Sequence, residues 1–508
     1  MTNRFRDQTG QRVIDTSMNG NKRNIFMALA AVSAVIFAAG VREYFCAGIP
    51  SWVIWEDSVF LDASGKYEIE LKNKKVSVKW DINTENDTGV ENDTGVIWDS
   101  PTEVKVQKVL SCDIDNDKTD ELVLLCWKKG RYGEHRPFWV EKDEATWSQH
   151  LYVYEYNSEK ISPKWMSSYI GQDVADITFN GKEAPYTRLW FRDPDDQMSS
   201  WMWDSWGFTK EDTEISFIAF GDIVAHEPIY RYGLQNDESF GFLFENVQDR
   251  ISDSDVAIIN QETPLTDNPA MVSDYPRFGT PVNVGQAVVV AGFDVVTCAT
   301  NHALDRGVEG VNFTKSFFDN NHIICLGIQT MEEKEDKPYT VIRRNNISFA
   351  LLNYTYGTNG ICMPEENLNM VHLFSDEEKI EMDIIQAKSE TDFVIVFAHW
   401  GTEYAEETDE FQRKWTQVFL ESGVDIVIGT HPHVLQPYEM LTDDNGHKML
   451  VYYSLGNYIS AQPEKSCVKG GMAEFTVSLT PTGYRITEYG LQPLTIVWQQ
   501  GGKYTVAF

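Results

Sequence analysis

The sequence predicts an α/β domain in the C-terminal half of the chain, preceded by a mainly antiparallel β domain and an N-terminal transmembrane helix. Three observations predict this order: an apolar run at residues 25–41, short alternating runs between residues 52 and 206, and hydrophobic runs that alternate with helix-compatible stretches from residue 213 to residue 498. With 508 residues, of which 42% are hydrophobic, the chain can form two sizeable cores.

The first of these segments has the features of a membrane anchor. Residues 25–41 carry no charge and have about the minimum length of a spanning helix, and Lys22, Arg23 and earlier arginines precede them. The positive-inside rule predicts a cytoplasmic tail at residues 1–23, an anchor at residues 24–41 and an extracellular C-terminal ectodomain on a single-pass protein of the cell membrane. The alternative is a cleaved signal peptide, because small residues stand near the end of the apolar run.

The sequence pattern of the next segment, residues 52–206, predicts the antiparallel β domain. Residues 67–71 and 75–80 alternate apolar and polar side chains, as half-buried strands do. Its clearest motif is an acidic loop whose carboxylates could surround a calcium ion, although an acidic hairpin turn has a similar sequence. The candidate calcium ligands are Asp113, Asp115, Asp117, Asp120 and Glu121. The motif resembles the loops of FG-GAP or VCBS-type β-propeller repeats, but the segment is too short for a full propeller, so we expect a partial or merged β domain.

The C-terminal half contains a series of hydrophobic runs that each end in polar residues. The run at residues 424–428 leads into His431-Pro432-His433, and the other runs end near Asp222, Glu262, Asn301 or His399. Half of the ten histidines of the chain lie at these junctions, which scattered surface histidines would not be expected to do. These five are His226, His302, His399, His431 and His433. Because open α/β sheets bind ligands at the carboxyl ends of their strands, the pattern predicts one shared site.

The residue types at these junctions favour a dinuclear metal site. Imidazole, carboxylate and amide ligands suit Zn, Mn or Fe. Two metal ions about 4 Å apart can clamp the attacking and leaving oxygens of a displacement. Any single junction would more commonly be structural, but five in order are hard to explain in that way.

Together, these motifs resemble those of a known protein family. Residues 215–497 resemble the capsule-synthesis CapA family, which is associated with bacterial poly-γ-glutamate capsules. The matching segments are Gly221-Asp222-Ile223, residues 260–264, residues 301–307, residues 399–404, residues 429–434 and residues 453–457. The resemblance implies an α+β sandwich of the calcineurin-like metallophosphoesterase type.

The same resemblance implies roles for the junction residues. Asp222 would bind the first metal, Glu262 would bridge the two, and Asn301 would bind the second. His399, His431 and His433 would complete the coordination, and His302 beside Asp305 would donate a proton or stabilise the transition state. His226 lies four residues after Asp222, where the phosphoesterases have a closer Asp-x-His spacing, so it is either a ligand from another direction or a neighbour.

The formal net charge of −34 limits the partners of the chain. It argues against nucleic acid, and it requires metal ions or a local basic patch if the partner is an anionic polymer.

Three functions are therefore consistent with the sequence. The first is a membrane-anchored extracellular component of capsule or poly-γ-glutamate production, acting with polymer synthase or export subunits as a metal-dependent hydrolase or transferase. The second is a metal-dependent phosphoesterase acting on an envelope phosphoester. The third is a non-enzymatic envelope scaffold.

Overall fold

The computed structural model describes residues 48–62, 64–80, 95–132, 138–157, 160–180, 187–345, 347–481, 483–499 and 502–508. The expected cytoplasmic tail and membrane anchor lie outside these ranges. Within them, no helix combines the length and apolar character needed to cross a membrane. The chain divides into two compact domains, the first ending at Glu211 and the second covering Asp212–Phe508.

The described part of the first domain consists of three four-stranded antiparallel sheets, each made of four consecutive strands. The antiparallel pairing expected for residues 67–71 and 75–80 is confirmed. The FG-GAP or VCBS resemblance stays a prediction. The strands are β1 Ser58–Leu61, β2 Tyr67–Lys72, β3 Lys75–Trp80 and β4 Val96–Asp99 in the first sheet, β5 Lys105–Cys112, β6 Glu121–Lys129, β7 Trp147–Asn157 and β8 Lys160–Met166 in the second, and β9 Asp176–Phe179, β10 Arg188–Arg192, β11 Met198–Asp204 and β12 Gly207–Lys210 in the third.

The second of these sheets lies between the other two. On β6, Leu122 and Leu124 pack against the first sheet, whereas Val123 and Leu125 pack against the third. Because successive side chains of a strand point to opposite faces, burial on both faces requires an almost continuous apolar run. The sequence of β6 has such a run, and this places two hydrophobic cores in the first domain.

The second domain is a sandwich of two large sheets. The strands of the first sheet are β13 Glu214–Ile223, β14 Val256–Gln261, β17 Val295–Thr297, β18 Ile324–Leu326, β25 Asn457–Ile459, β26 Lys469–Thr480, β27 Gly483–Trp498 and β28 Tyr504–Ala507. Those of the second are β19 Thr340–Arg344, β20 Ile347–Thr355, β21 Phe393–His399, β22 Ile426–Thr430, β23 Tyr438–Thr442 and β24 Lys448–Tyr452. The short strands β15 Leu265–Thr266 and β16 Thr280–Pro281 pair separately.

Parallel pairing at the centre of both sheets gathers their carboxyl ends. The first sheet has the order β18-β17-β14-β13-β26-β27-β28, with β25 beside β13, and its first four strands are parallel. The second has the order β19-β20-β21-β22-β24-β23, and β20, β21, β22 and β24 are parallel. Phe217 of β13 packs against Phe349 of β20 across the interface between the sheets.

Helices cover both outer faces of the sandwich. The first four pack on the first sheet and the last two on the second. They are α1 Glu227–Gln235, α2 Gln248–Asp253, α3 Val282–Ala291, α4 Gly307–Asn320, α5 Glu377–Glu390 and α6 Glu410–Ser422. Helix α6 begins with a capping box between Asp409 and Gln412 and ends at Gly423 in the left-handed conformation. The second domain therefore has four layers, and the α/β sandwich that the sequence predicts is confirmed.

Candidate metal centre

The polar residues at the strand ends of the second domain meet where the two sheets come together. Asp222 lies near the end of β13, and Glu262 directly follows β14. His399 ends β21, and His431 directly follows β22. All four side chains are buried. The two sheets thus contribute equally to one polar cluster in an otherwise apolar sandwich.

This cluster contains two overlapping sets of metal-ligating groups. Glu262, His399 and His431 form one set, and Asp222, Glu262 and His433 form the other. In each set the ligating atoms all lie within 4.8 Å of one another. Glu262 belongs to both sets, which is the position that the family resemblance implies for it.

The donor atoms of the cluster fit metal ions. Glu262 is 1% exposed, and neither of its carboxylate oxygens has a hydrogen-bond partner among the described residues. His431 Nδ1 is also buried without a hydrogen-bond partner among the described residues. A buried polar group without a partner costs about 1–3 kcal/mol, and more when it is charged. A bound cation would satisfy these atoms, and a mixture of imidazole and carboxylate suits Zn, Mn or Fe.

Asp222 is oriented by neighbours that were not predicted from the sequence. Asn260 Nδ2 donates to Asp222 Oδ1 at 2.7 Å, and Thr297 Oγ1 donates to Asn260 Oδ1 at 2.7 Å. The backbone N–H of His431 donates to Asp222 Oδ2 at 3.3 Å. Such contacts fix the direction of a ligand and tune its basicity. A polar Asn inside the apolar run of β14 was the available signal for this network.

Asn301 and His399 lie together in the cluster. Asn301 Oδ1 is 2.8 Å from His399 Nε2, and Thr430 Oγ1 is 2.9 Å from His399 Nδ1. The structure therefore brings Asn301 beside His399, a member of the ligand set that also contains Glu262 and His431. Thr430, at the end of β22, holds the other nitrogen of the same imidazole.

His433 lies between the acidic members of the centre. Its Nδ1 is 3.3 Å from Asp222 Oδ2 and 3.0 Å from Asn457 Oδ1, and its Nε2 is 3.7 Å from Glu262 Oε1. Burial lowers the pKa of His433, but Glu262 and Asp222 outweigh it and raise the pKa to about 9. Without a cation, this imidazolium partly compensates the two carboxylates.

Burial shifts His399, His431 and Glu262 towards their neutral forms. It lowers the pKa of His399 and that of His431 well below the ordinary histidine value. It also raises the pKa of Glu262 well above that of an ordinary glutamate, against the attraction of His433. Neutral imidazoles are the form that binds metal ions, so His399 and His431 need no deprotonation at neutral pH.

The turn that carries His431 and His433 has an unfavourable backbone conformation. The φ angle is +96° at His431 and +61° at His433. Non-glycine residues in this region cost about 1–3 kcal/mol each, and such strain is concentrated at functional sites. Just before the turn, a Cβ on Gly429 would lie 1.9 Å from the carbonyl oxygen of Tyr453, so only glycine fits there.

His302 and Asp305 form a buried pair beside the centre. His302 Nδ1 lies 2.7 Å from Asp305 Oδ2, which also accepts the backbone N–H of Phe278 at 2.7 Å. The ring of Phe278 lies 4.9 Å from that of His302 and packs against it edge-on. This arrangement holds the imidazole in one orientation and leaves Nε2 as the nitrogen available for proton transfer.

The structure does not bring His226 into either ligand set. It directly precedes helix α1, and its Nδ1 lies 3.0 Å from the carbonyl oxygen of Val224. The chain turns into the helix at this point and bends the side chain towards the backbone. Of the two alternatives that the spacing allowed, the contacts favour a neighbour over a ligand.

In the first domain, the acidic loop brings together three of its five candidate calcium ligands. Carboxylate oxygens of Asp113, Asp115 and Glu121 lie within 4.8 Å of one another. Lys164 Nζ lies 2.5 Å from Asp115 Oδ2 and also donates to Glu121. Burial raises the pKa of Glu121 to about 7, although Lys164 opposes the shift.

The other two candidates make local contacts. Asp117 Oδ1 accepts the backbone N–H of Thr119 at 2.7 Å, and Asp120 Oδ2 accepts from Ser111 Oγ at 3.2 Å. Since the ammonium of Lys164 already supplies positive charge between two of the acidic groups, a calcium ion would have to displace it. Calcium at this loop stays a prediction.

The fold and the cluster define the second domain as a four-layered α/β sandwich with a candidate metal centre at its strand ends. Residues 216–462 match the family described as "Bacterial capsule synthesis protein PGA_cap". This match covers most of the second domain, and the resemblance to CapA proteins is confirmed.

Two curated relatives match the chain. The "PGA biosynthesis protein CapA" of Bacillus subtilis (strain 168) is 27% identical over 292 residues, which cover 56% of this chain and 74% of that protein. The "Capsule biosynthesis protein CapA" of Bacillus anthracis is 25% identical over 269 residues, which cover 50% of this chain and 61% of that protein.

Solved structures with lower similarity include a novel phosphatase from Mycoplasma pneumoniae and a calcineurin-like phosphoesterase from Bacillus subtilis. The first is 14% identical, with a TM-score of 0.35, and the match covers 56% of this chain and 94% of that one. The second is 13% identical, with a TM-score of 0.33, and the match covers 55% of this chain and 90% of that one.

Proposed function

We propose that the protein is a membrane-anchored extracellular component of capsule or poly-γ-glutamate biosynthesis, and that its second domain acts on the polymer through a dinuclear metal centre. The observation that carries the proposal is the sharing of Glu262 by two ligand sets whose atoms lie within 4.8 Å of one another. The curated relatives, whose names refer to PGA and capsule biosynthesis, support the biological context.

Each metal ion has its own ligands in this proposal. Asp222 and His433 would hold the first, His399 and His431 would hold the second, and Glu262 would serve both. Asn301, beside His399, would add an amide oxygen to the second ion. When bound, two divalent ions of Zn, Mn or Fe supply Lewis acidity and a nucleophile at neutral pH.

His302 is the proton donor of the proposed reaction. Asp305 Oδ2 accepts a hydrogen bond from His302 Nδ1, and its negative charge stabilises the imidazolium. The proton on Nε2 can then pass to the leaving group of the substrate. Because both partners are buried, their mutual orientation is kept in the absence of substrate.

The second candidate is a metal-dependent phosphoesterase that acts on an envelope phosphoester. The His302–Asp305 pair favours it, since a phosphoester also needs a protonated leaving oxygen. Both candidates use the same centre and differ only in the bond that is broken or transferred.

The proposed location depends on residues 24–41, which would anchor the protein with both domains outside the cell. The apolar character of the run and the basic residues before it support this orientation. Polymer synthase or export subunits would then be the neighbours of the protein at the membrane.

A deletion strain tests the biological role even while the substrate is unidentified. We expect surface polymer to be lost on deletion, to return with the wild-type gene, and to stay absent with a Glu262→Gln gene. Glu378→Gln, which alters an exposed carboxylate in helix α5 outside both ligand sets, is the matched control and should restore the polymer. Full complementation by Glu262→Gln would instead support the scaffold function.

Purified protein separates the two enzymatic candidates. Cleavage or transfer of the polymer without hydrolysis of simple phosphoesters supports the capsule role. Phosphoester hydrolysis with unchanged surface polymer in the deletion strain would refute that role and support the second candidate.

A further inference from the structure

The first domain contains a cavity of about 450 Å³. This volume falls within the range of small-molecule sites, about 300–1,000 Å³. Aromatic rings and charged groups share its lining. The residues that matter here are Trp127, Trp147, Tyr169, Arg131, Glu144 and Asp173.

A buried polar network fixes one side of the cavity. The side chain of Gln149 pairs with the backbone of Val174: its Oε1 accepts the N–H at 2.9 Å and its Nε2 donates to the carbonyl at 2.7 Å. Gln107 Oε1 accepts from Gln149 Nε2 at 2.9 Å and from Trp127 Nε1 at 2.8 Å. The residue next to Asp173 and the indole of Trp127 are therefore held in place before any ligand arrives.

A second part of the lining is fixed around Arg131. Its backbone N–H donates to Asp143 Oδ1 at 2.8 Å, which holds the loop. The guanidinium lies 4.5 Å from the ring centre of Tyr169, and its Nε is 3.2 Å from Glu144 Oε2. The positive charge of Arg131 is thus already paired, and its remaining N–H groups can donate to a ligand.

The mixture of groups limits the chemistry of the ligand. An anion would lie close to the carboxylates of Glu144 and Asp173, and a lipid chain would have to bury these charged groups. A pyranose avoids both problems, because the apolar C–H face of the ring can lie on an aromatic side chain while its hydroxyls bond to guanidinium and carboxylate. Trp147, with Lys105 Nζ 4.2 Å from its ring centre, and Tyr169 supply the aromatic surfaces.

We propose that this cavity is a binding site for a short neutral saccharide. The aromatic rings of Trp147 and Tyr169 contact the apolar face of a sugar ring. Arg131 donates to its hydroxyls, and Glu144 and Asp173 accept from them. The site lies wholly within the first domain and does not depend on the metal centre.

Titration of the full-length protein with three probes tests the site: chitotriose, cellotriose and maltotriose. Tryptophan fluorescence and calorimetry report binding, in a detergent without a sugar headgroup. We expect at least one trisaccharide to bind and its affinity to fall about tenfold or more in Trp147→Ala and in Arg131→Gln. The control is Trp206→Ala, because Trp206 is 80% exposed, lies in the same domain and does not line the cavity.

The outcomes separate this site from the metal centre. Trp147→Ala should leave the metal content and the unfolding temperature close to those of the wild type. Dissociation constants weaker than about 1 mM for all three probes would refute the proposal. Undiminished binding in both cavity variants would also refute it, as would binding of a γ-linked glutamate oligomer in place of the sugars. Glu262→Gln, which tests the metal centre, should bind the trisaccharide as the wild type does.

Discussion

Replacement of Glu262 by glutamine should change the stability of the protein in opposite directions with and without metal. Glutamine has nearly the same shape but carries no charge, so it cannot bridge two cations. In the metal-free protein, the buried carboxylate of Glu262 has no hydrogen-bond partner within the described part of the chain. Its pKa is raised because the effect of burial outweighs the attraction of His433. We therefore expect metal-free Glu262→Gln to be more stable than the metal-free wild type by about 1–3 kcal/mol.

The metal-loaded proteins should show the reverse order. A ligand at a thousand times its dissociation constant stabilises the folded state by about 4 kcal/mol. The wild type should gain about this amount from each tightly bound ion, and the variant should lose most of it because both ligand sets contain Glu262.

Elemental analysis and chemical denaturation, before and after chelation, measure both effects. We expect about two ions per wild-type chain and fewer than one per Glu262→Gln chain. Glu378→Gln, which alters an exposed carboxylate outside both sets, should match the wild type. Equal metal content in Glu262→Gln and the wild type would refute the shared-ligand reasoning.

The remaining predictions concern proton transfer, acid stability and packing. His302→Asn should keep the metal content but reduce turnover about 10²–10⁴-fold, as measured with the substrate that the purified protein processes; unchanged turnover would exclude His302 as the proton donor. Burial lowers the pKa of His372 to about 4. As the pH falls, the unfolded chain therefore protonates this histidine before the folded chain does, and the free energy of unfolding should fall by about 3 kcal/mol between pH 6.5 and pH 4. Acid denaturation of His372→Gln should lack this component, and an identical pH dependence would contradict the assignment. Gly429→Ala should lower the free energy of unfolding by about 2 kcal/mol or more, because its Cβ would meet Tyr453, whereas Gly357→Ala has open space around it and should be nearly neutral in denaturant titrations.

The sequence predicts the strand-end positions of the site because hydrophobic runs and the polar residues after them are local features. Asp222, Glu262, His399 and His431 could be selected in this way, and the structure gathers them in one cluster. These residues meet because the strands are parallel, so that their carboxyl ends share one edge of the sheet.

Contacts between distant segments could not be predicted in the same way. The chain from Thr297 through Asn260 to Asp222 requires the pairing of three strands, and no spacing in the sequence indicates it. Lys164 lies more than forty residues from the acidic loop that it neutralises. His226 is close to a motif in sequence, yet the structure does not bring it into either ligand set.

The separation of the metal-ligating residues along the chain has a consequence for biogenesis. His431 lies 209 residues after Asp222, and the two belong to different sheets of the sandwich. A growing chain therefore has no complete ligand set until His431 has been added, when about three quarters of the second domain has been synthesised. Contacts of such long range form late and slowly in folding. Under the proposed function, metal ions can be loaded only after this point, and a chain truncated before residue 431 would lack part of both ligand sets.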